Sequence, residues 1–441
     1  GLRMKDWKTS TLGELTTFLG RGKSPVYADE NDVNTMPVLN QACVQNGRLD
    51  LGKLKSVTKR FWDSLPDERR LQKGDVLINS TGTGTLGRLG FWKGALEAAF
   101  DGHVTVLRFP EEHCSQFFYH LLSTETCRSI IEGECTSGST NQVELLREQL
   151  RRMVLKHPVH KDTQATIAET LSMLDNAIEQ TEALLAKQQR IKTGLMHDLL
   201  TRGLDAQGRL RDPSTHRFKK SPLGLIPEEW DIVSLSSIAD VMSGVTLGNE
   251  PSGPNTIELP YLRVANVQDG FLDLSEVKTI RVLRTSAYRF KLEVGDVLMN
   301  EGGDFDKLGR GTIWRGEIEN CLHQNHVFRV RAKPQMLDAE YLAAFTASSF
   351  GKSYFVLNAK QSTNLASINS TQLKAMPVIL PKHDEQKKLV HMLQSADSES
   401  RRTNGHLTKL RRLKAGLMHD LLTGRVAVTP LLGGKKGQAK D

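Results

Sequence analysis

Two long stretches of the chain carry apolar residues at alternating spacings of four and three, from about 161 to 201 and from about 385 to 423. This spacing places one apolar stripe along one face of an α-helix. The first stripe comprises Ile167, Leu171, Leu174, Ile178, Thr181, Leu185, Gln188, Ile191 and Leu195. The second comprises Leu389, Met392, Ala396, Thr403, Leu407, Leu410, Leu417 and Leu421.

Each predicted helix would be on the order of 60 Å long at 1.5 Å per residue. A helix of that length with a single apolar stripe needs a partner that covers the stripe. We therefore expect the two helices to pair antiparallel and to act as a coiled-coil spacer. The middle of the second helix, residues 397–406, is markedly polar, so we expect looser packing or a partner contact there.

Short strand patterns precede each helical stretch. β-branched and apolar runs enter through glycine at 74–79 and 295–300, and residues alternate with period two at 103–109 and 326–332. Glycine and proline separate these runs, as expected for strands joined by turns. The pattern indicates an α+β protein with a mostly β globular part before each helix.

The chain contains an internal repeat. Residues 191–203 and 413–425 are identical at nine of thirteen positions, at an offset of 222 (413 minus 191). Within a residue or two, the same offset relates 37–51 to 260–274, 71–79 to 292–300, 102–109 to 325–332 and 139–141 to 362–364. The repeat predicts two pseudo-symmetric globular domains separated by a pair of long antiparallel α-helices.

The predicted domain limits follow from these patterns. They are a first globular domain at 1–160, a first spacer helix at 161–203, a connector at 204–227, a second globular domain at 228–383, a second spacer helix at 384–424 and a disordered tail at 425–441.

Composition narrows the function only slightly. A net charge of +8 is compatible with phosphate binding but is weak evidence alone. The five cysteines have no metal-binding spacing, so we expect reduced thiols in a cytoplasmic protein. We expect no membrane helix and no secretory signal, because no apolar run is long enough and the N-terminus is polar.

Several short motifs resemble catalytic or ligand sites but lack a residue or a sequence context that such sites require. GTGTLG at 82–87 fits a dinucleotide loop, but its repeat counterpart at 302–309 breaks the pattern. RGKS at 21–24 lacks the upstream glycine of a phosphate-binding loop. His-Asp pairs at 197–198 and 419–420 have no further ligands nearby in sequence. We therefore predict a protein without a catalytic or metal site of its own.

The joint pattern resembles the specificity subunits of type I restriction-modification enzymes. SPLGLIPEEWDIVSLSSIADV (221–241) is similar to the segment that opens their second half, and GLMHDLLTRG and GLMHDLLTGR resemble the ends of their central helices. Residues 158–178 and 381–397 resemble the beginnings of those helices. The resemblance extends from Trp7 to Arg425. It departs at Thr163, where the second copy has Glu385, and in the polar middle of the second helix.

The resemblance implies two target-recognition domains that read a split, asymmetric sequence in double-stranded DNA, with a fixed gap set by the helices. It implies two methyltransferase subunits bound to the helices, and two ATP-driven translocase-nuclease subunits in a complex that defends against phage. S-adenosylmethionine, ATP and magnesium would belong to those partners.

Cations and amides in loops are the expected DNA contacts. Residues that both copies share suit phosphate contacts, which position the protein on the duplex. Residues that select bases should lie where the two copies differ. Candidates in the first repeat are Arg21, Lys23, Arg60, Arg69, Arg70, Thr83, Thr85, Arg88 and Asn141. Candidates in the second are Arg263, Arg281, Arg284, Arg289, Lys307, Arg310 and Asn364.

Two other classes of function remain open at this stage. The chain could be a scaffold whose coiled coil joins two protein-binding domains, and such a scaffold would not bind a specific duplex. An autonomous nuclease or methyltransferase would show activity in the purified chain alone. A DNA-binding subunit instead predicts an affinity that falls linearly with salt on logarithmic axes.

Exchange of residues 1–160 for the corresponding domain of another specificity subunit should change one half of the recognised sequence. The other half and the gap should stay the same, because a separate domain reads the second half. Mapping of methylated bases in a host genome measures this outcome. A change in both halves would contradict the interpretation that each globular domain recognises one half of the sequence.

Overall fold

The computed structural model describes residues 6–29, 31–45, 47–139, 142–248, 251–303, 308–361 and 366–426. Its contacts divide the chain into two compact units. The first unit comprises the residues up to Glu182 together with those from Gly405 onward, and the second comprises Ala183–Asn404. Each unit thus contains one globular part and a portion of both long helices. Most of the predicted disordered tail lies outside the described residues.

The first half of the chain forms short strands and helices before its long helix. The strands are β1 (Trp7–Thr11), β2 (Phe18–Arg21), β3 (Thr35–Leu39), β4 (Val44–Gln45), β5 (Arg48–Leu49), β6 (Lys55–Thr58), β7 (Val76–Asn79), β8 (Leu89–Phe91), β9 (Ala99–Phe100), β10 (Val104–Arg108), β11 (Thr136–Ser139), β12 (Gln142–Leu145) and β13 (Val154–Pro158). The helices are α1 (Leu12–Leu15), α2 (Lys59–Asp63), α3 (Ser115–Leu122), α4 (Glu125–Glu134), α5 (Arg147–Arg152) and the 41-residue α6 (Lys161–Thr201).

The second half repeats this order after a hairpin. Its strands are β14 (Phe218–Ser221), β15 (Gly224–Pro227), β16 (Asp231–Ser234), β17 (Ala239–Ser243), β18 (Thr256–Leu262), β19 (Lys278–Leu283), β20 (Val297–Asn300), β21 (Gly302–Gly303), β22 (Gly311–Ile313), β23 (Leu322–His323), β24 (Val327–Ala332), β25 (Lys360–Gln361), β26 (Ala366–Ser367) and β27 (Pro377–Leu380). Its helices are α7 (Leu235–Ile238), α8 (Arg284–Phe290), α9 (Ala339–Ala347), α10 (Ser349–Asn358), α11 (Ser370–Lys374) and the 40-residue α12 (His383–Leu422).

The two units share one sheet topology. The first contains sheets ordered β2-β10-β7-β8, β6-β3-β9 and β1-β13, and the second contains β17-β24-β20-β22, β19-β18-β23 and β16-β27. The register also repeats, because Asn79 lies opposite Val104 and Asn300 lies opposite Val327. The sequence repeat is therefore a repeat of fold, and the predicted α+β class with two similar globular parts is confirmed.

A buried ion pair recurs at the same place in both units. Asp75 precedes β7 and accepts hydrogen bonds from Nε and Nη2 of Arg108, both at 2.8 Å. Asp296 precedes β20 and accepts from the same atoms of Arg331, at 2.7 and 2.8 Å. Both carboxylate side chains are 1% exposed. Such a bidentate pair fixes the start of a central strand against its neighbour.

A buried glutamine fixes the start of each long helix. Gln164 donates from Nε2 to the carbonyl of Pro158 at 2.8 Å, and Gln386 donates to the carbonyl of Pro381 at 2.9 Å. The side-chain oxygen of each glutamine accepts a backbone N–H from a neighbouring loop. The proline and glutamine of the helix-start motif therefore serve structure in both copies.

The two long helices differ near their first residues, where the second has Glu385 and the first has Thr163. Contacts within the second unit explain this difference. Glu385 accepts hydrogen bonds from Arg211 Nη1 at 2.5 Å and from the indole Nε1 of buried Trp230 at 3.0 Å. The predicted connector at 204–227 is thus anchored through Arg211, and it ends in the hairpin β14–β15. The first copy has Thr163 at this position, which cannot form the same charged contact.

Within the first unit, ion pairs join the two long helices. Asp175 pairs with Lys414, and Glu182 pairs with Arg411 at 2.7 Å. Residue numbers rise along α6 and fall along α12, so the helices run antiparallel in this unit. Buried Leu171 of α6 and Leu421 of α12 join the hydrophobic core of the same unit.

Within the second unit, the helices also run antiparallel, and their contacts become polar. Lys192 pairs with Asp397, and Gln188 donates to Glu399 at 3.2 Å. The polar middle predicted for the second helix thus meets polar residues of α6. One stripe position was wrong, because Ile191 is 56% exposed. Its neighbour Lys192 occupies the interface instead, since it pairs with Asp397.

Replacement of Asp75 by alanine should lower the free energy of unfolding by about 3–5 kcal/mol, because it leaves the Arg108 guanidinium unpaired in a buried setting. Asp67→Ala is the matched control, since Asp67 pairs with Arg70 but is 91% exposed; its loss should cost at most about 1 kcal/mol. Chemical denaturation measures both variants. Equal destabilisation would show that the buried pair does not hold the sheet.

Candidate nucleic-acid interface

The glycine-rich loop between β7 and β8 belongs to a pair of antiparallel strands. Its Thr85 hydroxyl donates to a main-chain carbonyl within the loop, at 3.0 Å. Arg88 donates to the carbonyl of Gly84 at 2.9 Å, and its other terminal nitrogen lies 3.4 Å from Oε1 of Gln45. A dinucleotide loop leads from a strand into a helix, so this loop is not one. Thr83 is exposed.

The corresponding arginine of the second unit makes the corresponding contact. Arg310 donates to Oε1 of Gln268 at 3.0 Å, as Arg88 does to Gln45. Both arginines that were predicted to contact DNA are therefore bound to a glutamine inside their own unit.

The basic loop after β2 contains two cations with different surroundings. Arg21 turns into the protein, where it donates to the carbonyl of Leu145 at 2.9 Å and pairs with Glu144 at 3.4 Å. Lys23 is exposed, and its Nζ lies 5.9 Å from the ring centre of Phe61. Of the two predicted contacts, Lys23 is the one presented to solvent.

The next group of candidates lies on helix α2 and in the segment that follows it. Arg60 is exposed and forms no ion pair with any residue that the structure describes. Arg69 donates to the main-chain carbonyl of Arg21. Arg70 pairs with Asp67 at 2.9 Å and stacks on the ring of Trp62 at 4.9 Å. Arg69 and Arg70 thus hold the fold, while Lys23 and Arg60 are cations exposed to solvent.

Two candidates of the second unit are tied to acidic neighbours. Arg263 lies 3.3 Å from the carboxylate of Glu276 and is 20% exposed. Arg281 donates to Glu258 at 3.0 Å across the pair of strands β18 and β19. Their charges are largely neutralised within the protein.

Helix α8 carries the other two, and both are exposed. Arg284 and Arg289 form no ion pair among the described residues, and the Arg289 guanidinium lies 5.5 Å from the Phe290 ring centre. Helix α8 follows the outer strand of its three-stranded sheet, as α2 does in the first unit. The same place in the fold therefore presents cations in both units. Asn141, Lys307 and Asn364 lie outside the described residues.

The sequence alone does not single out two aromatic side chains, one in each unit. Tyr288 of α8 is 85% exposed. Lys55 places its Nζ 4.1 Å from the ring centre of Tyr27. An exposed tyrosine looks like a buried one in a sequence, so the signal appears only when exposure is known.

Three buried titratable groups do not suit catalysis as a nucleophile or general base. Burial raises the pKa of the Cys321 thiol to about 12 and lowers the pKa of His120 and of His323 to about 4. At neutral pH the thiol is therefore protonated and both imidazoles are uncharged. A thiolate is the reactive nucleophile, and an efficient general base has a pKa near the working pH.

The described residues lack two further features. They contain no cluster of three or more His, Cys, Asp or Glu side chains placed to hold a metal ion. They also contain no helix with the length and apolar character needed to span a bilayer.

Comparison with known proteins gives consistent results. The family model for the type I restriction modification DNA specificity domain matches residues 4–188 and again 227–412. The chain is 20% identical over 437 residues to the EcoKI specificity subunit of Escherichia coli K12, covering 95% of this chain and 89% of that one. It is 27% identical over 208 residues to a putative MjaX specificity subunit of Methanocaldococcus jannaschii, where the match spans about half of each protein (47% and 48%).

The fold also matches a solved structure. The S subunit of a type I restriction-modification system from M. genitalium superposes with a TM-score of 0.57 at 15% identity, over 96% of this chain and 97% of that chain. Two matches to the family domain cover most of the sequence, and they fall on the two repeats of the fold. The chain therefore belongs to the type I restriction-modification DNA specificity family and carries that family's domain twice.

Proposed function

We propose that this chain is the sequence-recognition subunit of a type I restriction-modification complex and acts in the cytoplasm. Each unit reads one half of a bipartite, asymmetric duplex target, and the long helices set a fixed gap between the halves. The observation that carries the proposal is a contrast between two parts of each unit. The frame consists of the repeated sheets, the buried Asp–Arg pair and the long helices, and the surface consists of the exposed residues of α2 or α8. The frame recurs in both units, whereas the exposed residues of α2 and α8 differ.

The recurrent frame supports a shared way of presenting each surface. The Asp75–Arg108 pair and the Asp296–Arg331 pair start equivalent strands. Residues that differ between the units can then change which bases are read without a change of fold. Phosphate contacts fix register and base contacts give sequence choice. Exposed Lys23, Arg60 and Thr83 in the first unit suit the duplex backbone and groove edges.

The long helices support the proposed partners. They expose large apolar side chains that packing within the chain does not cover, namely Met173, Leu184, Ile191 and Leu413 at 60, 48, 56 and 51% exposure. Two methyltransferase subunits would bind these helices, and two translocase-nuclease subunits would complete the complex. Catalysis, with S-adenosylmethionine, ATP and magnesium, would belong to those subunits, and the buried thiol and imidazoles described above agree with that assignment.

The Arg60→Gln variant should weaken DNA binding by the assembled methyltransferase and reduce its dependence on salt. Loss of one phosphate contact should lower the slope of log affinity against log salt by about 0.9. Arg70→Gln is the matched control, because Arg70 is held by Asp67 and Trp62. It should leave the slope unchanged and lower the free energy of unfolding by about 1–2 kcal/mol.

Fluorescence titration of a labelled duplex at several salt concentrations gives both slopes. An unchanged slope for Arg60→Gln would remove α2 from the interface. Absence of any specific duplex binding by the wild-type complex would instead favour a protein-binding scaffold.

Insertion of four residues into both long helices should lengthen the gap and leave both half-sites unchanged. Suitable positions are between Glu182 and Ala183 and between Asn404 and Gly405, where the contacts divide into two units, so the ion pairs within each unit stay in register. Four helical residues add about 6 Å, or about two base-pair steps of 3.4 Å. Methylated-base mapping in a host reports the gap directly.

The matched control inserts the same four residues after Gln207, in the exposed turn of the connector. This variant should keep the original gap. The spacer role fails if the helix insertions leave the gap unchanged, or if they alter a half-site while the gap stays the same.

A further inference from the structure

Helix α8 of the second unit presents an aromatic side chain that packing does not explain. Tyr288 is 85% exposed, and Arg284 and Arg289 on the same helix are exposed as well. Leu283, which precedes the helix, is 44% exposed. A tyrosine this exposed gains almost nothing from burial in the folded chain. The cluster of one aromatic and two cations therefore marks a contact surface.

The helix is held firmly in place, so its side chains are presented in a fixed position. The N–H of Arg284 donates to the carbonyl of Asn255 at 2.9 Å. At the other end, the carbonyl of Arg289 accepts a hydrogen bond from Arg329 at 3.3 Å. Arg329 is 4% exposed and pairs with Asp240 at 2.7 Å. Arg284 and Tyr288 lie four residues apart and share one helix face.

The first unit differs at this place. Counted from the residue that precedes each helix, Lys59 of α2 corresponds to Arg284, and Asp63 corresponds to Tyr288. Lys59 and Asp63 pair at 3.2 Å, so the acid neutralises the first cation. In α8 the acid is replaced by an aromatic ring, and the helix contains no carboxylate at all. The substitution removes negative charge and adds a flat apolar face.

Two exposed cations around an exposed ring, on a helix without a carboxylate, suit a polyanionic DNA target. Arginines bind the phosphates that line a groove. An aromatic ring on a helix can pack against the methyl group of thymine in the major groove, and such a contact distinguishes one base from another. We propose that Tyr288 is a specificity-determining residue that contacts the bases of one half-site, while Arg284 and Arg289 bind the flanking phosphates. The inference rests on the proposed function and names the residues of the second unit that would contact bases and phosphates.

The test compares wild-type chain, Tyr288→Ala and the control Leu357→Ala in a host that expresses each with the methyltransferase subunit. Leu357, on α10, is 82% exposed, so the control removes an equally exposed apolar side chain elsewhere in the unit. Single-molecule sequencing maps methylated bases. Tyr288→Ala should relax one or two positions of one half-site and leave the other half-site intact, and the control should match wild type.

A binding measurement covers the case in which methylation is lost altogether. The assembled methyltransferase is titrated with the wild-type duplex and with duplexes altered only in that half-site. Tyr288→Ala should reduce the discrimination between them by about tenfold, and Tyr288→Phe should retain most of it, because the ring that contacts the base is kept. Because this readout is a ratio, partial loss of active protein does not change it.

The outcomes distinguish a failure of the proposed function from a failure of the inference about Tyr288. If wild type gives no bipartite methylated motif, the proposed function fails. If wild type gives the motif and Tyr288→Ala keeps the same motif and the same discrimination, the inference about Tyr288 is overturned while the proposed function stands. A folded Tyr288→Ala chain that fails to assemble with the methyltransferase subunit would show a protein contact, and would also overturn the inference.

Discussion

Each long helix carries an apolar stripe that it cannot cover alone, and this constraint shapes both units. Helix α6 contributes Ile167 and Leu171 to the core of the first unit and Leu199 and Leu200 to the core of the second. Helix α12 contributes Leu389 to the second core. Neither unit could keep its core without a portion of both helices. The helices are therefore part of each fold and not an appendage to it.

The polar contacts between the helices repeat with the sequence. Asp175 on α6 pairs with Lys414 on α12, and the equivalent residues pair as Asp397 on α12 with Lys192 on α6. Within each unit such a pair fixes the register of an antiparallel contact that apolar residues alone would leave free to slide. The duplicated sequence thus specifies its own pairing. The surfaces of α2 and α8 are outside this constraint, and the two copies differ in charge there.

Much of the fold could be predicted because its signals are local. The 3.5-residue periodicity and the repeated helix ends mark the long helices, and the GDV segments mark the central strands. Ile191 was placed wrongly because pattern alone does not reveal that Lys192 has an acidic partner at Asp397, more than two hundred residues away. Stripe assignment by residue type fails where a polar pair replaces an apolar contact.

The candidate site was less predictable for the same reason. Arg21 looks like a free cation in a basic loop, yet it binds the carbonyl of Leu145, 124 residues away. Arg70 is held by Trp62 and Asp67. Residue type predicts what a side chain can bind, but its partner depends on tertiary contacts. The same limitation hides Tyr288, whose exposure only the fold reveals.

The shared frame and divergent surfaces support the proposal that the protein reads two different sequences with one architecture. Single-molecule sequencing of DNA from a host that expresses the chain with its methyltransferase subunit tests this claim most directly. The account predicts methylated bases in one motif with two specified segments, separated by a constant unspecified gap, and no such motif when the chain is omitted. A single continuous motif, or methylation that persists without the chain, would contradict it.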